Sequence, residues 1–575
     1  MRAKFYLALT LLLCLQSAAA EKWDVGVAWL ERDPKYPVPM EAVGQSNWPK
    51  PGDEITFTAH LFSNSPEGAL PEGQKVFLRW FVNTKKIGET SLEMGSEPFA
   101  ASSLKWTVPA DYRYDFTKTL TNCLEVAVSY PGGVEDRVRE NDSLKICLDA
   151  LVFSVKINNG TFRKYTDPEG LSFFDRLNHN IRWMNERFAA AVYPLSPCGI
   201  IDRYRVDRVE FTDDEVEPDL EHGDPCATTR LYFNEGGKMG AFYNAPYYWI
   251  GQTFFFVSGA VTNGIFSQMG VGAVTHEAGH SLQLPDTYIF DLDADRNHVT
   301  HEKIPCDWMD TNGSIDIMRY PYSFNSRFTE LSAVAANTQS GVFRRHTPEV
   351  MNIDGKQSLG WMFRCLPKKI GVRFFTKSGR ELPEGIPVKF YRADRSSYYV
   401  EVPENDVVLD TVYKKGGVFF SPEFEIRENP NVGKNTFLVC LELPGGKRAF
   451  MLDQLRFNYR YIKGERETQL FSFTNDFSEA AVSSTRIIVE KGGKSLLLKF
   501  GVTEREGTSV RCASSLEKLA KARFLPLTDA LWSVNWFKDG ENELYVQALS
   551  KDGFPSPVRS FKFYYDAEAA ALREE

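Results

Sequence analysis

The apolar positions of this chain follow two different periods. Over residues 21–150, short runs rich in β-branched and aromatic residues alternate with turn clusters, which is the pattern of antiparallel strands. Val76-Phe77-Leu78-Arg79-Trp80-Phe81-Val82 and Cys123-Leu124-Glu125-Val126-Ala127-Val128 are two such runs, and Pro131-Gly132-Gly133 is one of the breaks. These features predict a β-sandwich. From 151 to 365 the period changes. Phe173, Phe174, Leu177, Ile181, Met184 and Phe188 fall on one helical face within Leu171–Val192. Asp167-Pro168-Glu169 just upstream is helix-start chemistry. Phe254–Val261 reads as a strand, and a helix is expected from about Gly270. After Cys365 the strand pattern returns in Gly371–Phe375, Val388–Tyr391, Phe437–Leu443, Lys494–Phe500 and Glu543–Leu549. That is more than one sandwich uses, so the stretch divides near 475. The expected fold class is a multidomain chain in which an α+β domain is flanked by all-β sandwich domains. The boundaries are 21–150, 151–365, 366–475 and 476–575.

Length supports the division, because 575 residues exceed the roughly 250–300 that one hydrophobic core serves. The net charge is −9 with no basic run, which argues against a nucleic-acid partner, since phosphate binding needs a basic patch. Residues 1–20 have the parts of a signal peptide: Arg2 and Lys4, the apolar stretch Phe5–Leu15, and Ala18-Ala19-Ala20 as a cleavage site. The apolar stretch is shorter than the ~20 residues a bilayer span needs, and no later segment is long enough. The expectation is a secreted protein, extracellular or periplasmic, cleaved near Ala20. Eight of the nine cysteines lie beyond that site. An even count suits disulfide bonds in an oxidising compartment, and the lack of a CxxC argues against cysteine-based zinc or redox chemistry.

The candidate chemistry lies in Thr275-His276-Glu277-Ala278-Gly279-His280-Ser281-Leu282-Gln283-Leu284-Pro285-Asp286. Histidines at i and i+4 of a helix share a face, about 5–6 Å apart at Cβ, and both imidazoles can bind one tetrahedral Zn²⁺. Glu277 is placed to reach a water in the fourth position and take its proton. Asp286 is the first choice for the third ligand, because Pro285 cannot continue the helix and the chain must turn there. Glu302 and Glu330, the latter on a plausible helix, are the alternatives. Downstream, Asp291-Leu292-Asp293-Ala294-Asp295-Arg296-Asn297 with Glu302 forms an acidic stretch. It spaces its acids like a Ca²⁺ loop but has Arg296 where such a loop requires Gly. A loose Ca²⁺ site and a solvated loop both fit it.

The motif resembles that of the metzincin clan of zinc peptidases, HExxHxxGxxH or HExxHxxGxxD, with Gln283 where the clan has Gly. Its Leu284-Pro285-Asp286-x-Tyr288 ending is similar to the immune inhibitor A family of secreted bacterial proteases. The resemblance covers roughly residues 170–345. It implies that His276, His280 and Asp286 hold zinc and that Glu277 is the general base of a peptidase acting on a protein or peptide substrate. It also implies a methionine turn beneath the metal. Ser314-Ile315-Asp316-Ile317-Met318-Arg319-Tyr320 fits that feature better than Met309 does, with Tyr320 donating to the oxyanion. The β regions carry looser resemblances. Cys123 to Cys147, with Arg139-Glu140-Asn141-Asp142, is similar to bacterial immunoglobulin-like modules, and Asn542–Ala548 to fibronectin-like modules. A non-catalytic surface adhesin built on a decayed zincin domain is the rival reading; the presence of Glu277 speaks against it.

Overall fold

The computed structural model describes the chain from Lys22 to Arg573. Outside the description are residues 36–48, 65–74, 113–121, 131–134, 168–169, 217–228, 235–239, 243–252, 258–267, 311–314, 322–324, 345–363, 426–434 and 491–493, positions 96, 137, 149 and 283, and the two ends, 1–21 and 574–575. The signal segment, Gln283 and Cys226 therefore lie outside it. The chain is mostly β and multidomain, and it divides into two compact units. One is Met1–Tyr288 with Asp307–Met362; the other is Ile289–Cys306 with Phe363–Glu575.

The first unit opens with two antiparallel sheets. One runs Val25–Asp33, Glu54–Ser63, Phe99–Thr107; the other runs Lys85–Glu93, Lys75–Val82, Cys123–Ser129, Ser143–Cys147. Every second residue of Lys75–Val82 is buried, as the period of a strand requires. Val76, Leu78 and Trp80 therefore meet Ile55, Phe57 and Leu61 in one core. The Trp80 indole N–H donates to Thr90 Oγ1 at 2.9 Å, so its burial leaves no polar atom unsatisfied. Cys123 and Cys147 face each other across the neighbouring strands.

A five-stranded sheet follows, in the order Tyr204–Thr212, Leu151–Asn158, Thr229–Asn234, Thr253–Val257, Gly240–Phe242. Its first three pairings are parallel and the last is antiparallel. The described α-helices of this unit are α1 (Asn159–Lys164), α2 (Phe173–Ala190), α3 (Gln268–Ser281) and α4 (Glu330–Arg344). Helix α2 buries the six apolar residues that share its face. Its start, however, is not Asp167-Pro168-Glu169. Ser172 is the N-cap: its hydroxyl accepts from the Asp175 N–H while the Asp175 carboxylate accepts from the Ser172 N–H. This capping box satisfies two amide donors that the first helical turn would leave open.

The second unit contains two pairs of sheets. The first pair is Val418–Phe420, Lys369–Thr376, Thr468–Asn475 and Val407–Val412, Pro387–Arg392, Phe437–Leu443, Gly446–Leu452. They enclose Val372, Phe374, Phe390, Val439 and Phe471. The second pair spans Val482–Val489 to Ala571–Arg573 around Leu498, Val510, Leu544 and Val546. Two features depart from the sequence reading. The helix Gln454–Ile462 sits among the strands, capped by Asp453, which accepts from the Arg456 N–H at 2.9 Å. The acidic segment Ile289–Cys306 belongs with this unit, not with the rest of 151–365. It is held there by backbone hydrogen bonds: Val400 N–H to Ile289 O at 2.9 Å and Val402 N–H to Arg296 O at 2.9 Å. Cys440 and Cys512 are thiols in different sheets of this unit. Burial pushes each up to about 11, so they stay protonated and unreactive near neutral pH.

Trp80 fills the centre of the first sandwich at 0% exposure. Trp80→Ala is expected to cost about 3–5 kcal/mol, seen as a lower urea midpoint for the unfolding of this sandwich. An unchanged midpoint would show that the sandwich does not depend on this side chain.

Candidate metal centre

Helix α3 is buried on almost every side: Val271, Ala273, Val274, Ala278, His276 and His280 are all inaccessible or nearly so. Such a helix needs small residues where other backbone approaches. Gly272 faces the Pro321 carbonyl, so close that a Cβ would sit 2.0 Å from its oxygen. Gly279 faces Met318, whose Sδ would lie 2.6 Å from a Cβ there. The helix therefore rests on the loop 315–321, with Met318 fully buried against it. Met309 is also buried, but Met318 is the methionine that packs against the histidine helix.

After Ser281 the chain reverses. The Leu282 and Leu284 N–H groups both donate to Gly279 O, at 2.9 and 3.2 Å. This hook carries Asp286 back to the two histidines. Asp286 Oδ1 is 3.0 Å from His276 Nε2 and 3.2 Å from His280 Nε2. Both rings are held from behind. His276 Nδ1 donates to Ile317 O at 2.9 Å, and His280 Nδ1 donates to Leu284 O at 2.8 Å. A carbonyl can only accept, so each Nδ1 carries the proton. Each Nε2 is then turned toward Asp286, as a lone pair when the ring is neutral.

The electrostatics follow from burial. His276 is 6% exposed and Asp286 5%. Burial opposes charge on His276, but the Asp286 and Glu277 carboxylates and the Ile317 carbonyl outweigh it, so its pKa lies above the ordinary imidazole value. Burial also works against the Asp286 carboxylate, and the two rings overcome it, holding the carboxyl well below its usual range. A proton on Nε2 or a cation between the rings and the carboxylate would satisfy the same geometry. Glu277 sits beside them with Oε2 3.9 Å from His280 Nε2, too far for a hydrogen bond. That oxygen is buried and accepts no hydrogen bond among the described residues. Burial raises the Glu277 pKa, against the pull of the two histidines.

Of the alternative carboxylates, Glu330 is engaged by other partners and Glu302 belongs to the other unit. Glu330 opens α4, and its Oε1 accepts from the Leu195 N–H at 3.0 Å. Glu302 is exposed in the other unit, with its backbone carbonyl bonded to Asn297. In the acidic segment Asp293 pairs with Arg296 and with Lys303, the latter at 3.0 Å, and Asp291 accepts from the Cys306 N–H at 2.7 Å. Groups of the segment itself thus engage Asp293 and one oxygen of Asp291. Tyr320 is 50% exposed, and its N–H is fixed to Asp316 O at 3.0 Å.

What the sequence reading missed is the brace behind the site. Asp316 is wholly buried. It accepts from the Met318 N–H at 2.8 Å, the Thr329 N–H at 3.1 Å, the Thr329 hydroxyl, and the Ser332 hydroxyl at 2.8 Å. Burial nevertheless leaves its pKa raised. Thr287 N–H donates to Met318 O at 3.0 Å, tying the hook to the methionine turn. The available signal was an acid inside the apolar run Ile315-Asp316-Ile317-Met318. Gly272→Ala should destabilise this unit even though alanine gains about 0.5–1 kcal/mol in a helix. The contact with a backbone carbonyl costs about 1–3 kcal/mol. Gly279→Ala meets a side chain that can shift and should cost less. Denaturant midpoints in the reverse order would contradict the packing described.

No protein-family model and no curated protein matches the chain. Among solved structures it is similar to the CARDB domain of a Pyrococcus furiosus protein, at 12% identity over 22% of this chain and 91% of that one, with a TM-score of 0.16. It is also similar to the β-glucuronidase of Parabacteroides merdae, at 9% identity over 94% and 77% with a TM-score of 0.21. Fibronectin(III)-like modules of Clostridium thermocellum CbhA match at 10% identity over 36% and 96%, with a TM-score of 0.15. Scores this low carry no functional weight, and the chemistry rests on the site itself.

Proposed function

We propose that His276, His280 and Asp286 bind a zinc ion and that the chain is a secreted zinc-dependent endopeptidase with a zincin-type α+β domain. One observation carries the reading. Two imidazoles, each fixed by a backbone carbonyl, aim Nε2 at a single carboxylate oxygen 3.0 and 3.2 Å away. Two nitrogens and one oxygen are a catalytic zinc set that leaves a position for water. Anchoring of the far ring nitrogen is what zinc-bound histidines require. The unpartnered Glu277 Oε2 fits the same reading, since a base needs an oxygen not already engaged. Zinc bound there would act as a Lewis acid and lower the pKa of a bound water towards ~7.

The remaining roles fall to the chain. Glu277 takes the proton of the attacking water and passes it to the leaving amine; its raised pKa moves it toward the working pH of such a group. Met318 and the Asp316 brace keep Ile317 O behind His276. Tyr320, half exposed beside this turn, is the candidate donor to the oxyanion. The β-sandwiches place substrate or partner and perform no chemistry: His60 is the only histidine in 21–150 and 366–575. It hydrogen-bonds Glu31.

The test combines metal content with peptide hydrolysis before and after chelation. One zinc per chain is expected, and chelation should both abolish hydrolysis and lower the melting temperature, because a ligand bound only by the folded state stabilises it. His276→Ala, His280→Ala and Asp286→Ala should each lose the metal. Glu277→Ala should keep it and lose about 10²–10⁴-fold in rate. A protein that binds no zinc, or a Glu277→Ala variant with full activity, would overturn the reading.

A further inference from the structure

A second site lies in the first unit, where helix α2 and the start of strand Tyr204–Thr212 meet the strands Val25–Asp33 and Ser143–Cys147. A cavity of about 280 Å³ opens there, walled by Trp29, Ile181, Ala189, Tyr204, Arg203 and Arg205. This is near the lower end of ligand pockets. Both arginines are only 1% exposed. Arg203 lies just before the strand and Arg205 within it, and both line the same cavity.

Their hydrogen bonding is incomplete in the same way. Arg203 spends Nη1 on the carbonyls of Ile200 and Asp202. Arg205 spends Nη1 on Asp207 Oδ1 and, at 3.4 Å, on Leu30 O. In both residues Nε and Nη2 are buried without a partner among the described residues. Nε and Nη2 form one edge of the guanidinium, the fork that receives two oxygens of a carboxylate or phosphate side by side. Leaving a buried donor unmade costs about 1–3 kcal/mol, more for a charged group. Two such edges on residues lining one cavity therefore call for an acceptor that the described residues do not supply. Asp207 offsets one of the two buried charges. Burial pulls the Arg203 guanidinium down to about 10, opposed by the neighbouring Cys147 thiol. At the rim, Lys145 and Arg182 are exposed with Glu186 as the one acid, so the mouth also favours an anion. The walls opposite the arginines are apolar, which suits an apolar body more than a bare inorganic ion.

We infer that this cavity binds a small organic carboxylate, its two oxygens held by the Nε/Nη2 edges of Arg203 and Arg205 and its apolar body packed against Trp29 and Ile181. The site stands apart from the zinc reading and does not depend on it. The test is thermal unfolding and calorimetric titration of the full chain with benzoate and hexanoate, with sulfate as an anion that lacks an apolar body. Both carboxylates should raise the melting temperature saturably and more than sulfate does. Arg203→Met should weaken their binding by about 10-fold to 100-fold, the range of charge-assisted hydrogen bonds. Without ligand this variant should be as stable as the wild type or more so, because removing an unpaired buried charge relieves its burial cost. Ala189→Leu narrows the cavity while leaving both guanidiniums in place, and it should weaken the carboxylates more than sulfate. The inference is overturned if neither carboxylate binds saturably or if sulfate binds as well as they do. It is equally overturned if Arg203→Met binds like the wild type, or if that variant unfolds while Ala189→Leu leaves carboxylate binding unchanged.

Discussion

The centre of the first unit depends on two backbone carbonyls. Ile317 O and Leu284 O each accept the Nδ1 proton of a histidine, and through that bond they decide where the other nitrogen points. An imidazole on a helix is otherwise free to turn about its side-chain torsions and to change tautomer. With Nδ1 anchored, both Nε2 atoms are committed to one place, and Asp286 is already there. The charge states follow: the carboxylate stays ionised in a buried site through a proton on the facing rings or a cation in its place, since a bare Nε2 lone pair would repel it.

Those carbonyls must themselves be held still. Leu284 O is fixed by the reversal after α3, in which Gly279 O takes two N–H groups. Ile317 O is fixed by Asp316, whose oxygens gather donors from Met318, Thr329 and Ser332. Thr287 then links hook to turn through Met318 O. Gly272 and Gly279 let the turn approach the helix closely enough for these bonds to form. A substitution well behind the histidines can therefore act on the centre through the orientation of one ring, a route by which outer partners of a metal ligand commonly matter.

The arginine cavity shows the opposite economy. There the protein leaves donors unmade in a buried place, while elsewhere in the same unit the buried Asn337 finds backbone partners. Buried polar atoms are satisfied in the great majority of cases, and it is the matching pair of unmade edges on two residues lining one cavity that the carboxylate proposal rests on.

Much of this was legible along the chain. The strand runs at Val76–Val82 and Phe437–Leu443 and the face of α2 rest on periodicity, which local sequence carries directly. The same holds for His276, Glu277 and His280, whose spacing is a property of a single helix, and for Asp286, because Pro285 forces a turn within a few residues. The start of α2 was misplaced by a few residues, since Asp167-Pro168 and Ser172-x-x-Asp175 are both start signals and only packing chooses between them. Helix Gln454–Ile462 was hidden among strands for a similar reason: nine residues are too few to form a helix alone, and its stability comes from burying Leu455 and Phe457. The acidic segment could not be assigned to a unit, because its backbone partners Val400 and Val402 lie about a hundred positions away. Asp316 and the pair Arg203 and Arg205 read as ordinary charged residues in sequence. Their roles come from burial and from which donors and acceptors remain unmatched, and those are settled only when distant segments pack together.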